Sequence, residues 1–369
     1  MSQKSIGKRD IADRLMLLLN TLVLGSLLLA YLAGSISPAK FWPLAFVAMS
    51  YPIILASLTV FMVYWLVRRR WFLFLNLAFL VAKWDYVSAT VKPFSSNSED
   101  AIGLKVMSYN VRLFDRYNWT ENENTGSKIE TLILKEQPGI LCIQEFYHSK
   151  SDAAQASNKL LSTSNLKQVH LKNYFAQRKN DNDFGVATLT SYPILNKGTI
   201  VLENSRSALT IYTDIIIQDD TLRVYNVHLQ SIHLGVDGFQ VLDELLDAED
   251  LKDVNEGKLV LGRMKRAFVK RAEQAEKIAN HIQNSPYPVI VCGDFNDVPY
   301  SYAYQTIAST LCDGFSEAGS GLGATYVRVP FFRIDNILYS EEFEAESHTV
   351  HLGEFSDHLA VTTTLSRKD

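Results

Sequence analysis

The sequence predicts a β-rich α/β sandwich carried on an N-terminal set of membrane-spanning helices. Three observations predict it. Two uncharged apolar runs of 22 and 27 residues, Leu15–Ile36 and Phe41–Val67, open the chain. Beyond residue 102, short runs rich in Val, Ile, Tyr and Thr alternate with turn residues and outnumber the stretches of helical periodicity. Charge divides at the same place: residues 1–94 carry ten Lys/Arg against three Asp/Glu, and the remainder carries 26 against 37. With 369 residues, 47% of them hydrophobic, and a net charge of -4, the chain is neither disordered, nor collagen-like, nor a small disulfide scaffold. The acidic second part argues against a coat for nucleic acid.

Each of the two runs is long enough to cross a hydrocarbon core of ~30 Å as a helix. Ser37–Lys40 joins them into a hairpin, and Pro52 is expected to kink the second. Lys4, Lys8, Arg9 and Arg14 precede the first run, and Arg68, Arg69 and Arg70 follow the second. The positive-inside rule puts both clusters in the cytoplasm. A third segment, Trp71–Val91, decides the topology. If it spans as one helix, with Lys83 and Asp85 near its far end, the second part lies outside the cytoplasm. If it lies on the inner leaflet, the second part stays inside. Three spans are the preferred reading, in a multi-pass protein of the inner (cytoplasmic) membrane. A cleaved signal peptide is disfavoured by the second run.

Residues 1–92 are thus read as the anchor, 93–102 as a Pro- and Ser-containing linker, and 103–369 as one further domain. Strands are expected at Leu104–Tyr109, Gly139–Ile143, Val186–Thr190, Ala208–Ile217, Leu222–Leu229, Pro288–Cys292, Ile334–Tyr339 and Leu359–Leu365, and helices at Ser127–Lys135 and Arg263–Gln283. Ser231–Gly262, with six acids from Asp237 to Asp250, reads as a surface insertion. The basic run after it (Arg263, Lys265, Arg266, Lys270, Arg271) is either a solvated helix face or a contact for lipid headgroups or phosphate. Cys142, Cys292 and Cys312 have no metal-site spacing and read as free thiols.

The polar residues at the strand ends form a consistent set. They are Asn110 in MSYNVR, Glu145 in CIQEF, Asn226 and His228 in YNVHLQS, Asp294, Asn296 and Asp297 in VCGDFND, Asp335 in FRIDNIL, and Asp357 with His358 in EFSDHLAV. Each alone reads as a turn or surface residue. Together, carboxylates and an amide carbonyl are hard oxygen ligands that suit Mg²⁺. Two His with Asp partners suit proton transfer or stabilisation of a charged transition state.

In these motifs and their order the sequence resembles the endonuclease/exonuclease/phosphatase superfamily, which includes pancreatic-type deoxyribonucleases, AP endonucleases, inositol polyphosphate phosphatases and neutral sphingomyelinases. The likeness spans Leu104–Ser366. With the hydrophobic segments ahead of it, the chain looks like the membrane-anchored members found in Bacteroidetes. The resemblance implies a four-layer α/β/β/α sandwich and a metal site of Asn110, Glu145 and Asp357 for Mg²⁺, with Mn²⁺ as a substitute. It implies that Asp294 and Asn296 orient the attacking water and the phosphate, and that His228 and His358 contact phosphate with Asp335 orienting His358. Arg206 matches a phosphate-side Arg. Thr325 matches a phosphate contact or is a plain strand Thr. Whether Asp294 or His358 takes the proton stays open.

The implied activity is hydrolysis of a phosphodiester, in nucleic acid or in a lipid headgroup. The alternatives are a phosphomonoesterase and a catalytically silent membrane protein that binds through this domain. Arg112 stands where AP endonucleases carry an acidic or amide residue, which counts against that activity. The expected partners are the bilayer and the phosphate ester; no protein partner follows from the sequence.

Overall fold

The structure is a computed structural model and describes residues 8–93, 101–116, 124–149, 160–162, 164–174, 182–202, 208–232, 254–353 and 355–368. Helices α1 (Lys8–Ala33), α2 (Pro38–Phe41), α3 (Pro43–Met49), α4 (Tyr51–Val67), α5 (Phe72–Ala82) and α6 (Trp84–Ser88) come first. Strand β1 (Val91–Lys92) leads into β2 (Leu104–Asn110), α7 (Thr125–Glu136), β3 (Ile140–Ser149), β4 (Gln168–Asn173), β5 (Asn182–Thr190) and β6 (Ile194–Ile200). Then come β7 (Leu209–Ile217), β8 (Asp220–His228), α8 (Val254–Gln283), β9 (Val289–Asp294), α9 (Tyr302–Ile307), β10 (Cys312–Asp313), α10 (Gly314–Ala318), β11 (Gly321–Leu322), β12 (Asp335–Tyr339), β13 (Phe343–His351) and β14 (Ala360–Arg367).

Two six-stranded sheets run in the orders β13-β14-β2-β3-β5-β4 and β10-β12-β9-β8-β7-β6. Each holds one parallel pair, β2 with β3 and β8 with β9, joined across its outer face by α7 and α8 respectively. Alternation along the strands sends Val106, Ile140 and Cys142 of one sheet against Val224, Ile290 and Cys292 of the other. The opposite faces bury Met107 and Ile143 under Ile129 and Ile133 of α7, and Tyr225 and Val291 under Ala275 and Ile278 of α8. This is the expected α/β/β/α sandwich. The three cysteines are free, two of them in the core between the sheets.

The eight expected strands and both helices form. The third-segment expectation needs correction. The helix from Phe72 stops at Ala82, because Lys83 leaves helical geometry (φ -136°, ψ 58°), and α6 starts anew at Trp84. Eleven residues span only about 16 Å. The second run is divided too, with α3 and α4 meeting at a 58° bend and Pro52 in the first turn of α4. Ile11–Ala33 is the one described unbroken helix long and apolar enough to cross a membrane, and the α3–α4 pair is a second if its two helices count as one span. The insertion read at Ser231–Gly262 is shorter than expected, since α8 already begins at Val254; its acids Asp237–Asp250 lie outside the described residues.

The N-terminal helices pack as a bundle. Asp13 near the start of α1 bonds Arg68 and Arg70 beyond the end of α4. Midway, Asn20 and Asn76 exchange side-chain hydrogen bonds of 3.0 and 3.1 Å, and the Trp65 Nε1–H donates to Asn20. At the far end Tyr31, Tyr51 and Tyr86 stack around Tyr300 of the sandwich. The chain therefore returns from the Arg68–Arg70 end to the sandwich end through α5 and α6, although no continuous helix carries it.

Candidate active site

Parallel β-α-β units deliver the C-terminal ends of β2 and β3, and of β8 and β9, to one edge of the sandwich. Asn110 closes β2, His228 closes β8 and Asp294 closes β9. Antiparallel β12 starts at that edge with Asp335 opposite Asp294, and Asp357 and His358 stand just before β14. Glu145 arrives by a bulge. The register of β3 on β5 shifts between Ile143 and Phe146, and Glu145 takes φ 52°, a strained backbone that re-aims its side chain. Gly293 is required: at φ 146° a Cβ there would lie 1.9 Å from the Val227 carbonyl oxygen on β8.

Asp294 Oδ2 is the hub. It accepts from Asn110 Nδ2 and from Asn296 Nδ2, each at 3.0 Å. His228 Nε2 lies 3.5 Å from it and His358 Nε2 3.8 Å. Asp294 Oδ1 accepts the Asn296 backbone N–H at 2.8 Å, which fixes the GDFN turn. Burial pushes the Asp294 carboxyl up, against the pull of the two imidazoles. Around His358, burial opposes a charged ring, but the carboxylates of Asp335 and Asp294 outweigh it and hold the imidazolium well above its ordinary range. Asp335 Oδ2 and Oδ1 stand 3.0 and 3.2 Å from His358 Nδ1.

His228 has a different partner. Its Nδ1 meets the hydroxyl of Tyr174, one residue past β4. Burial, then the charges of Glu145 and Asp294, keep Tyr174 a neutral phenol. Tyr174 is the residue that sequence reasoning missed. It stands in no polar motif, and β4 itself was not expected.

Glu145 is pushed up to about 7, by burial first and then by the charges of Asp357 and Asp294. Its carboxylate stands 4.0 Å from His228 Nε2. The partly open carboxylates of Glu145 and Asp357, beside the Asn110 amide, suit a hard divalent cation. Asp294, Asp335 and His358 also lie within 4.8 Å of one another. Both Asp335 oxygens face His358 Nδ1 there.

Of the ten residues expected from sequence, eight meet at this edge. Thr325 is fully buried behind it, where its Oγ1 accepts the backbone N–H groups of Ile334 and Asp335 at 3.0 Å each. Arg206 lies outside the described residues. Asp297 turns away to Arg271 Nε at 2.9 Å, and Arg271 also donates to the Gln230 carbonyl. Arg112 Nε is 3.4 Å from Asp357.

The catalytic edge meets the N-terminal bundle. Val298 and Tyr300, just past Asp294 and Asn296, share an apolar cluster with Leu27, Ala30, Tyr51 and Tyr86. The Tyr300 hydroxyl bonds Thr90 at 2.5 Å. Phe332 joins the same cluster, while Tyr326 in the same loop bridges His358.

A family model described as the endonuclease/exonuclease/phosphatase family matches residues 107–358, and one described as a domain of unknown function matches residues 13–90. Among solved structures, the human Nocturnin catalytic domain with bound sulfate is similar at 20% identity and a TM-score of 0.52, over 72% of this chain and 94% of that one. An endonuclease/exonuclease/phosphatase from Beutenbergia cavernae is similar at 16% identity and 0.50, over 72% and 71%. A family protein from Leptotrichia buccalis is similar at 18% identity and 0.50, over 72% and 100%. These likenesses concern the fold. No curated protein matched the chain.

Proposed function

This chain belongs to the endonuclease/exonuclease/phosphatase family, and from that premise we propose that it is a membrane-anchored, metal-dependent phosphodiesterase acting on a lipid headgroup. One observation carries the choice of a lipid: the loop that follows Asp294 and Asn296 runs at once into the apolar cluster of the helical bundle. If the bundle sits in a bilayer, the site opens at headgroup level, where lipid phosphodiesters are concentrated. Leu15, Leu18, Leu22, Val60, Val63 and Phe74 support the bilayer, because each exposes more than half of its surface on the outside of the bundle. Arg68–Arg70 lie at the end remote from Tyr300, so the positive-inside rule favours an extracytoplasmic active site.

Asn110, Glu145 and Asp357 are the residues that would hold Mg²⁺. Bound there, the ion supplies Lewis-acid polarisation of a phosphoryl oxygen. The protein's own groups do the rest. Asp294 takes the proton of the attacking water, because His358 is already protonated and has no lone pair to offer. The Asn110 and Asn296 amides keep the Asp294 carboxylate in place. His358 donates from Nε2 to a non-bridging oxygen as charge builds there, and Asp335 fixes its ring. His228, set by Tyr174, donates on the other side.

The test is the purified full chain in detergent with Mg²⁺, assayed on sphingomyelin and glycerophospholipids, on phosphoinositides, on plasmid DNA and on bis(p-nitrophenyl) phosphate. Headgroup release from a lipid diester, lost in Asp294→Ala, is expected. Nicking of DNA without lipid turnover would replace the lipid by nucleic acid, and release of inorganic phosphate alone would make it a phosphomonoesterase. No turnover of any ester would remove the enzyme reading.

A further inference from the structure

Of the basic run on α8, Arg271 is buried against Asp297, whereas Lys265 and Arg266 ahead of it take no part in the catalytic centre and lie beside the bundle. Lys258, Leu259, Leu261, Lys265 and Arg266 are all exposed, and at 100° per residue they fall within an arc of roughly 160°. Val260 and Ala267, on the opposite arc, are buried. Beside the exposed arc, Phe268 meets Phe46 of α3 edge-on at 5.1 Å, and the Lys265 ammonium stands 5.5 Å over the ring of Trp42. Lys40 and Phe41, in the turn before Trp42, are exposed as well. This turn is where the apolar helices end on the sandwich side.

We propose that this face of α8, with Lys40 and Phe41, binds the anionic phospholipid headgroups of the bilayer around the bundle. The inference rests on the membrane reading above and goes beyond it in naming a lipid contact outside the catalytic centre. Two properties select the occupant. Cations alternate with leucines, which suits a charged layer lying over an apolar one and not a purely aqueous surface. The face also continues the exposed apolar belt of the bundle through Phe41 (54% exposed), so a bilayer that covers the belt reaches it. Leu259 and Leu261, 51% and 43% exposed, then enter the interface while the cations stay among the phosphates. Each cation near an anionic surface contributes about fivefold in lipid affinity, so Lys258, Lys265 and Arg266 together contribute roughly a hundredfold.

The full chain is reconstituted in nanodiscs of phosphatidylcholine, alone or mixed with phosphatidylglycerol. An environment-sensitive fluorophore is placed at Leu259→Cys in a Cys312→Ser background; Cys142 and Cys292 are buried. A second label at Val60→Cys, on the outside of α4, reports the bundle. Val60 should read an apolar surrounding in both discs. Leu259 should shift to the blue only with phosphatidylglycerol and lose the shift at high salt. In Lys258→Gln/Lys265→Gln/Arg266→Gln the phosphatidylglycerol response should weaken by roughly a hundredfold, with turnover of soluble bis(p-nitrophenyl) phosphate unchanged. A Leu259 emission that ignores phosphatidylglycerol, or a response that survives the triple substitution, overturns the headgroup surface while Val60 still reports lipid. A Val60 label in water overturns the membrane reading and this inference with it.

Discussion

Gly293→Ala tests whether the backbone of the GDFN turn sets the catalytic geometry. The added Cβ would stand 1.9 Å from the Val227 carbonyl oxygen and 2.8 Å from the Val227 nitrogen, at a φ of 146°. Real Cβ contacts start near 3 Å, so β8 and β9 must part by about 1 Å at this point. Asp294 is the next residue, and it pairs with His228 in the register of these strands. The displacement therefore falls on the hub of the site and on one of its two imidazoles. Overpacking together with a forbidden φ should cost about 3 kcal/mol, which in a domain of this size lowers Tm by roughly 6–12 °C. A misplacement of about 1 Å costs roughly 10² in kcat. The assay is hydrolysis of bis(p-nitrophenyl) phosphate with Mg²⁺ beside thermal unfolding. Gly257→Ala is the control, since a Cβ there meets nothing within 4 Å on α8 and Ala suits a helix. A folded Gly293→Ala protein with normal kcat would refute the link between this turn and catalysis.

Three further outcomes follow from the site. In Asp335→Asn the charge that holds His358 protonated is gone, so the alkaline limb of the kcat profile should move to lower pH and kcat should drop by about 10²; an unmoved limb would show that Asp335 does not govern the ring. Glu145 is pushed up to about 7, so below that pH a metal must displace its proton, and Mg²⁺ affinity measured by calorimetry should weaken by about tenfold per pH unit. Glu145→Gln should bind more weakly and lose that pH dependence, and unchanged binding would remove Glu145 from the ligand set. Tyr174→Phe deletes the hydroxyl on His228 Nδ1 and should lower kcat by about five- to tenfold with KM nearly constant; a change confined to KM would assign Tyr174 to substrate binding.

The elements legible in the sequence are those buried on both faces or repeated at a clear period. The eight expected strands include all the central ones, and α7 and the body of α8 show an apolar stripe. The strands that escaped are edges: β13 and β4 border one sheet, β10 and β6 border the other, and the two-residue strands β1 and β11 pair only with each other. An edge strand buries one face weakly, so polar residues such as those of QVHLKN and ILNKGTI are tolerated and the alternation fades. Lys83 could not be read as a helix stop, because nothing local demands one; its break coincides with the packing of Tyr86 on Tyr300.

For the site, sequence alone determined the chemistry available. Hard oxygen ligands, two imidazoles and their carboxylates stand at strand ends, in an order that identifies a family, because each sits beside its own strand and turn. Tertiary structure decided how they are used. Asp294 became the hub, Thr325 a prop behind Asp335, and Tyr174 the partner of His228, since these roles depend on contacts between residues as far apart as Asn110 and Asp294. The contact of the catalytic edge with the N-terminal bundle was likewise a tertiary result. Hydropathy marks a segment as apolar, but only packing decides which face of the folded domain it covers.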